Sequence, residues 1–353
     1  MNILVIRMSS IGDIILTTPV LRAIRRQFPQ AMVDFLVMTQ FAEAISGNRN
    51  IDHLLRFDKH RYAGIGGILA YARQLKRRRY DLVIDLHAKA RSRLLCWHLA
   101  ARVIRYKKRC WWKTLGVRLR WIRYHVDDTI VRNYFQPLKV WGIHYQGETL
   151  EFDYSADDAR TAAAFKGTIV FAPGAANNTK KWPREYFGDL GRLLAGTIVL
   201  VGGARDHADL ELIRRRIGDR CTNLAGQLSL KQSGALIAGA RFIVTNDSGP
   251  FHMARAVGTR AYVIFGPTDP GMFDLGPNTV LVYREVPCAP CSLHGDRRCP
   301  QGHFDCMRQL TPSLLAAIIT RDGASGPRQC AAPRQVHPCA AKDEGHLRLC
   351  NGF

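Results

Sequence analysis

The sequence predicts an α/β protein of two units, each a parallel sheet with crossover helices, on three observations. Its 353 residues exceed the ~250–300 at which a single hydrophobic core stops growing. Short apolar runs alternate with segments of helical period, the pattern of strands joined by crossover helices. After a less regular segment, residues 105–141, that alternation restarts at residue 168.

In chain order, NILVI (2–6) reads as a strand, MSSIGD as the turn after it, and LTTPVLRAIRRQF as a helix. MVDFLVM (32–38) and YDLVIDL (80–86) continue the strands, with the helix-patterned GGILAYARQLKRR before the second. The segment 105–141, rich in Trp, Arg and Tyr, leads to a join near residues 150–156. TIVFAPG (168–174), TIVLVGG (197–203), ARFIVTND (240–247) and AYVIFGP (261–267) form the second strand series. Helices are expected from about Arg184 to Ala195 and from about Ala208. The expected domains are residues 1–153 and 154–323, and the Gly- and Pro-containing residues 324–353 fit neither period and read as a disordered tail.

Composition narrows the function. An apolar fraction of 47% with 23% charged residues excludes a disordered or collagen-like chain. No apolar run approaches the ~20 residues of a membrane-spanning helix, and the opening MNILVI is cut short by Arg7 without a signal-peptide pattern, so a soluble cytoplasmic protein is expected. Residues 1–150 carry 27 Lys and Arg against 10 Asp and Glu, most of the formal net charge of +22. A basic half points to an anionic partner: a phosphorylated substrate, an anionic membrane surface or nucleic acid. Nothing resembles a helix-turn-helix, an RNA-recognition module or a zinc finger, which disfavours nucleic acid.

Chemistry is expected where strands end, because helix N-termini there offer free N–H groups to anions. Ser9-Ser10-Ile11-Gly12-Asp13 sets two hydroxyls, a flexible residue and a carboxylate at a helix start, although Ser10 or Asp13 would serve equally as a cap. The small-residue loop from Pro173 through Lys180 and Lys181 to Trp182-Pro183 suits a diphosphate held by backbone N–H groups and one ammonium. Gly202-Gly203-Ala204-Arg205-Asp206 places an acid where nucleotide folds hold a ribose. Asp247-Ser248-Gly249, with His252 one turn on, and the loop Gly266–Pro270 are further strand ends of the same kind.

Of the ten cysteines, only three precede position 287. Cys288-x2-Cys291-x7-Cys299-x6-Cys306, with His294 and His303 between them, supplies ligand types for structural zinc. The irregular second spacing suits reduced thiols or local crosslinks as well.

Three segments, RMSSIGDIILTTPVLRAIRRQFP, the PGA loop running to KKWPREYF, and TNDSGPFHMARAVGTRAYVIFGPTDP, together resemble the bacterial ADP-heptose:lipopolysaccharide heptosyltransferases, glycosyltransferase family 9. The resemblance spans about residues 1–320. It implies a GT-B fold, two Rossmann-like domains facing across a cleft, with the acceptor on the N-terminal domain and the nucleotide sugar on the C-terminal one. It also implies an inverting transfer with Asp13 as general base and Ser9, Ser10 and Gly12 shaping the loop around the donor. Lys180 matches the lysine on the donor phosphates, and Asp247, Ser248, Gly249 and His252 match the segment that binds diphosphate and sugar. Asp206 is the candidate ribose contact. No metal cofactor is required on this resemblance. The implied acceptor is an anionic inner-core sugar on lipid A, either the lipid A-linked acidic sugar or the first heptose, reached by peripheral contact with the inner leaflet of the cytoplasmic membrane. Arg61, Lys89, Arg91 and Arg93 are the candidate acceptor contacts. A family member that uses another nucleotide sugar for a different surface glycan is the alternative.

Overall fold

Strand β1 (Asn2–Ile6) lies at the centre of a sheet because it is apolar on both faces, and Ile3 to Ile6 are fully buried. Around it β2 (Met32–Met38), β3 (His53–Phe57), β4 (Leu82–Asp85) and β5 (Arg102–Arg105) complete a five-stranded sheet in the order β3-β2-β1-β4-β5. Every pairing is parallel, with Ile6 in register with both Leu36 and Asp85. The computed structural model describes residues 1–99, 101–106, 116, 126, 128–324 and 347–348. By its internal contacts the chain divides into two units: the first takes the described residues up to 106 together with 128–154, and the second takes residues 116 and 126 together with the described residues from Ser155 on.

In the first unit the run LTTPVLRAIRRQF forms α2 (Thr18–Gln27), and a separate short helix, α1 (Ile11–Ile15), precedes it, beginning inside the stretch expected to be a turn. Pro19 has no N–H to give the preceding turn, and the Thr17 and Thr18 hydroxyls donate to the carbonyls of Ile14 and Ile15 at 2.6 and 2.8 Å. The crossovers are α3 (Gly64–Lys76) and α4 (Ala90–Trp97), and α5 (Ile130–Phe135) follows β5. Residues 148–151 return to α2 and close the unit. Glu151 pairs with Arg22 and accepts from the Asn48 amide at 2.7 Å, and Glu148 accepts from Arg26 at 2.8 Å.

The second unit opens with α6 (Ala156–Ala162), capped by Ser155. It then alternates β6 (Ile169–Ala172), α7 (Arg184–Leu193), β7 (Ile198–Leu200), α8 (His207–Ile217), β8 (Cys221–Asn223), α9 (Leu230–Gly239), β9 (Phe242–Asn246), α10 (Gly249–Val257), β10 (Ala261–Phe265) and β11 (Thr279–Arg284). Helices α11 (Asp305–Arg308) and α12 (Pro312–Ala324) follow, and β12 (Leu347–Arg348) ends the sheet order β12-β11-β10-β9-β6-β7-β8. All its pairings are parallel except β11 with β12. Trp182, Phe171 and Phe187 are buried at the centre of its core.

The structure adds strands to those expected. β3, β5 and β8 are edge strands of five, four and three residues, too short and too one-sided in burial to stand out as apolar runs. β11 extends the series past residues 261–267, and its TVLVYR is apolar enough to have predicted it. Within the irregular segment 105–141, residues 107–115, 117–125 and 127 lie outside the described residues. So does most of the expected tail, while Leu347 and Arg348 pair with Arg284 and Tyr283. Among the described residues no helix is long and apolar enough to cross a membrane.

Candidate active site: two strand-end clusters

The loops after β1, β3 and β4 open on one edge of the first sheet, because its strands are parallel. After β1, Ser9, Ser10 and Gly12 carry the chain into α1, and Asp13 falls at its third position. Asp13 Oδ2 accepts from the Ser10 backbone N–H at 3.2 Å and the Ser10 hydroxyl at 3.0 Å. It also pairs with the Arg7 guanidinium at 2.8 Å, and one-third of the Asp13 side chain is exposed. Burial alone would raise this carboxyl. The Arg7 charge and the Ser10 hydrogen bonds outweigh it and hold the group at about 2, so it is an anion at every working pH.

Beside it, at the end of β4, Asp85 is fully buried. It accepts from the N–H groups of His87 and Ala88 at 3.1 and 2.8 Å, from the Ser92 hydroxyl at 3.1 Å and from Arg105 at 2.8 Å. These bonds turn the chain sharply enough that Ala88 takes a positive φ of 52°. The turn presents exposed Lys89 and Arg93 at the start of α4, and Arg91 lies over the Phe57 ring at 5.6 Å. Arg61, exposed after β3, lies over Tyr62 at 5.5 Å. The four expected acceptor cations thus stand on the same sheet edge as Asp13.

In the second unit the ends of β6 and β9 are stitched together by buried Asn246. Its amide donates to the Pro173 carbonyl at 2.6 Å and its oxygen accepts from the Trp182 N–H at 3.1 Å. Trp182 anchors the loop, its indole N–H donating to the Leu310 carbonyl at 2.8 Å; emptying a site of that size costs about 3–5 kcal/mol. The next residue, Asp247, is only 3% exposed in its side chain, and Lys180 reaches it at 2.5 Å. The Thr268 hydroxyl donates to the same oxygen at 3.0 Å. Ser248 and Gly249 begin α10, where Pro250 lacks an N–H and the first-turn N–H groups of Gly249 and Phe251 remain. His252 is buried, edge-on to Phe273 with ring centroids 4.8 Å apart. Asp206, on the loop after β7, accepts from the Gly203 N–H at 3.0 Å. A Cβ on Gly174 would lie 3.2 Å from its carboxylate, so that glycine lets the two loops touch.

The cysteine-rich segment packs on this cluster. Thr179 donates its N–H to the Asp296 carbonyl at 3.0 Å and accepts from the Asp296 N–H at 2.7 Å, while the Asn177 amide donates to the His294 carbonyl at 2.7 Å. Gly295, at φ +79°, has no room for a side chain, since a Cβ there would lie 2.6 Å from Lys180 Cγ. Cys288, Cys291, Cys299 and Cys306 are not joined in disulfides and line one small cavity with His303. Burial first, and the neighbouring sulfurs second, push Cys291 up to about 11 and Cys306 up to about 12. Among the described residues no group of three or more His, Cys, Asp or Glu gathers closely enough to hold a metal.

Sequence reasoning missed Arg7, Asp85, Asn246 and Thr268. The visible signal was a charged or polar residue closing a buried apolar run for the first three, and a hydroxyl in the Gly266–Pro270 loop for the fourth.

The profile of glycosyltransferase family 9 (heptosyltransferase) matches residues 68–300, more than half of the chain. The chain is 28% identical over 298 residues to lipopolysaccharide heptosyltransferase 2 of Escherichia coli, across 76% of this chain and 84% of that protein. It is 26% identical over 323 residues to lipopolysaccharide heptosyltransferase 1 of Pseudomonas aeruginosa, across 82% and 86%. The solved E. coli ADP-heptose lps heptosyltransferase II aligns with a TM-score of 0.70 at 21% identity, over 91% of this chain and 98% of that one. The architecture is the GT-B fold of such enzymes.

Proposed function

The chain belongs to glycosyltransferase family 9, and from that premise we propose that it is an inverting enzyme moving heptose from ADP-heptose onto the anionic inner core of lipopolysaccharide. The observation that carries the donor half is the Lys180–Asp247–Thr268 cluster beside the start of α10. An ammonium and helix N-terminal N–H groups stand together there, the chemistry that receives a diphosphate. Ser248, Gly249 and His252 belong to the same cluster, and Asp206 supplies a carboxylate for the ribose hydroxyls.

In this reading the acceptor hydroxyl oxygen bonds to the anomeric carbon from the face opposite ADP. The bond from that carbon to the phosphate oxygen breaks, and its electron pair leaves with ADP. The hydroxyl proton passes to Asp13. A carboxylate held at about 2 is a weak base, but a hydroxyl attacking an oxocarbenium-like centre becomes strongly acidic as its bond forms, so a weak base suffices. Lys180 and the α10 N–H groups neutralise the charge that gathers on the leaving diphosphate. Arg61, Lys89, Arg91 and Arg93 receive the acidic acceptor, and exposed Ile65 and Trp97 suit an acceptor carried in an anionic lipid layer.

Nucleotide competition tests the donor. ADP and ADP-heptose are expected to displace each other from one site, and a chelator to leave both affinity and turnover unchanged. Preferential binding of UDP-sugars would favour a family member building a different glycan, and loss of turnover on chelation would assign a metal to the chemistry.

A further inference from the structure

We infer that Arg7 is the positioning residue of the transfer, holding Asp13 by one oxygen so that the other faces the acceptor. The inference rests on Asp13 being the base. Three donors converge on Oδ2: the Arg7 guanidinium at 2.8 Å, the Ser10 N–H at 3.2 Å and the Ser10 hydroxyl at 3.0 Å. Oδ1 draws none of these donors, and the side chain is one-third open.

Arg7 itself has little freedom. It is 4% exposed. One guanidinium nitrogen donates to the Leu86 carbonyl at 2.7 Å, and its carbon lies 5.5 Å from the centroid of the Tyr134 ring. Leu86 follows β4 and Tyr134 belongs to α5, so two other parts of the first unit fix the guanidinium before it meets the carboxylate. A planar fork held at several points sets an angle as well as a charge, which a lysine ammonium does not.

The groups that bear on the Asp13 charge among the described residues are Arg7, the Ser10 donors and the Tyr134 phenol, and the Tyr106 phenol in turn faces Arg7 and Tyr134. Burial pushes the Tyr134 phenol up, so it stays neutral. Arg7 is therefore the cation that keeps Asp13 ionised. Without it the carboxyl pKa rises, and since the base works only above its pKa, the acid limb of kcat/KM must move to higher pH.

Two variants test this in the full-length enzyme. Arg7→Met is expected to lower kcat at neutral pH, to bring an acid limb into the measurable range that the wild type lacks, and to leave ADP affinity unchanged. Arg7→Lys, which keeps the charge and loses the fork, is expected to keep the wild-type pH profile with a kcat reduced about tenfold or more, and free guanidinium to restore part of the Arg7→Met loss. A wild-type kcat and pH profile in Arg7→Met would overturn the inference. If Arg7→Met does not fold, a wild-type kcat in Arg7→Lys overturns it alone. Turnover surviving in Asp13→Asn would instead remove the base assignment on which the inference stands.

Discussion

Asp13→Asn is expected to lower turnover by about 10²- to 10⁴-fold, the range a positioned general base contributes, with ADP affinity unchanged. The geometry makes this substitution a clean one. Three donors point at Oδ2, so the asparagine must turn its carbonyl oxygen toward Arg7 and Ser10. Its NH2 group then takes the place of Oδ1 and donates where a proton has to be accepted. Packing and the Arg7 contact survive while basicity is lost. Single-turnover measurement of transfer, with ADP binding measured in parallel, separates the two effects; near-normal turnover would remove Asp13 from the role of base.

Lys180→Met is expected to weaken ADP binding by about 10- to 100-fold, since a charge-assisted hydrogen bond contributes about 1.5–3 kcal/mol. Methionine keeps the stem that packs on Gly295 and removes the ammonium. The substitution also strips buried Asp247 of its cation, and an unpaired buried charge costs about 3–5 kcal/mol of fold stability. Adding Asp247→Asn to the Lys180→Met variant should therefore recover the melting temperature and leave ADP binding weak. Unchanged ADP affinity in the single variant would transfer the phosphate contact to Lys181 or to the backbone N–H groups.

What the sequence made legible follows from which signals are local. β1, β2, β6, β9 and β10 are covered on both faces, so NILVI, MVDFLVM and their counterparts read as continuous apolar runs. The edge strands HLLRF and RVIR carry arginines on half-covered faces and gave no such run. The strand-end clusters were visible for the same reason of locality: glycine, hydroxyl and carboxylate fall within five residues in SSIGD and in NDSGP. What organises them was not visible. Arg7 reaches Leu86 across 79 positions, Asn246 reaches Pro173 across 73 and Thr268 reaches Asp247 across 21, and no local period encodes a pairing made only when the sheet assembles. The contact of residues 294–296 with the Lys180 loop is hidden in the same way.

The most direct test of the reading is ADP release by the purified protein given ADP-heptose, with and without lipid A carrying its inner-core acidic sugars. Release that depends on that acceptor, or on the same acceptor already bearing one heptose, is the expected result. Release at the same rate without any acceptor, or a protein that binds neither ADP nor ADP-heptose, would contradict it.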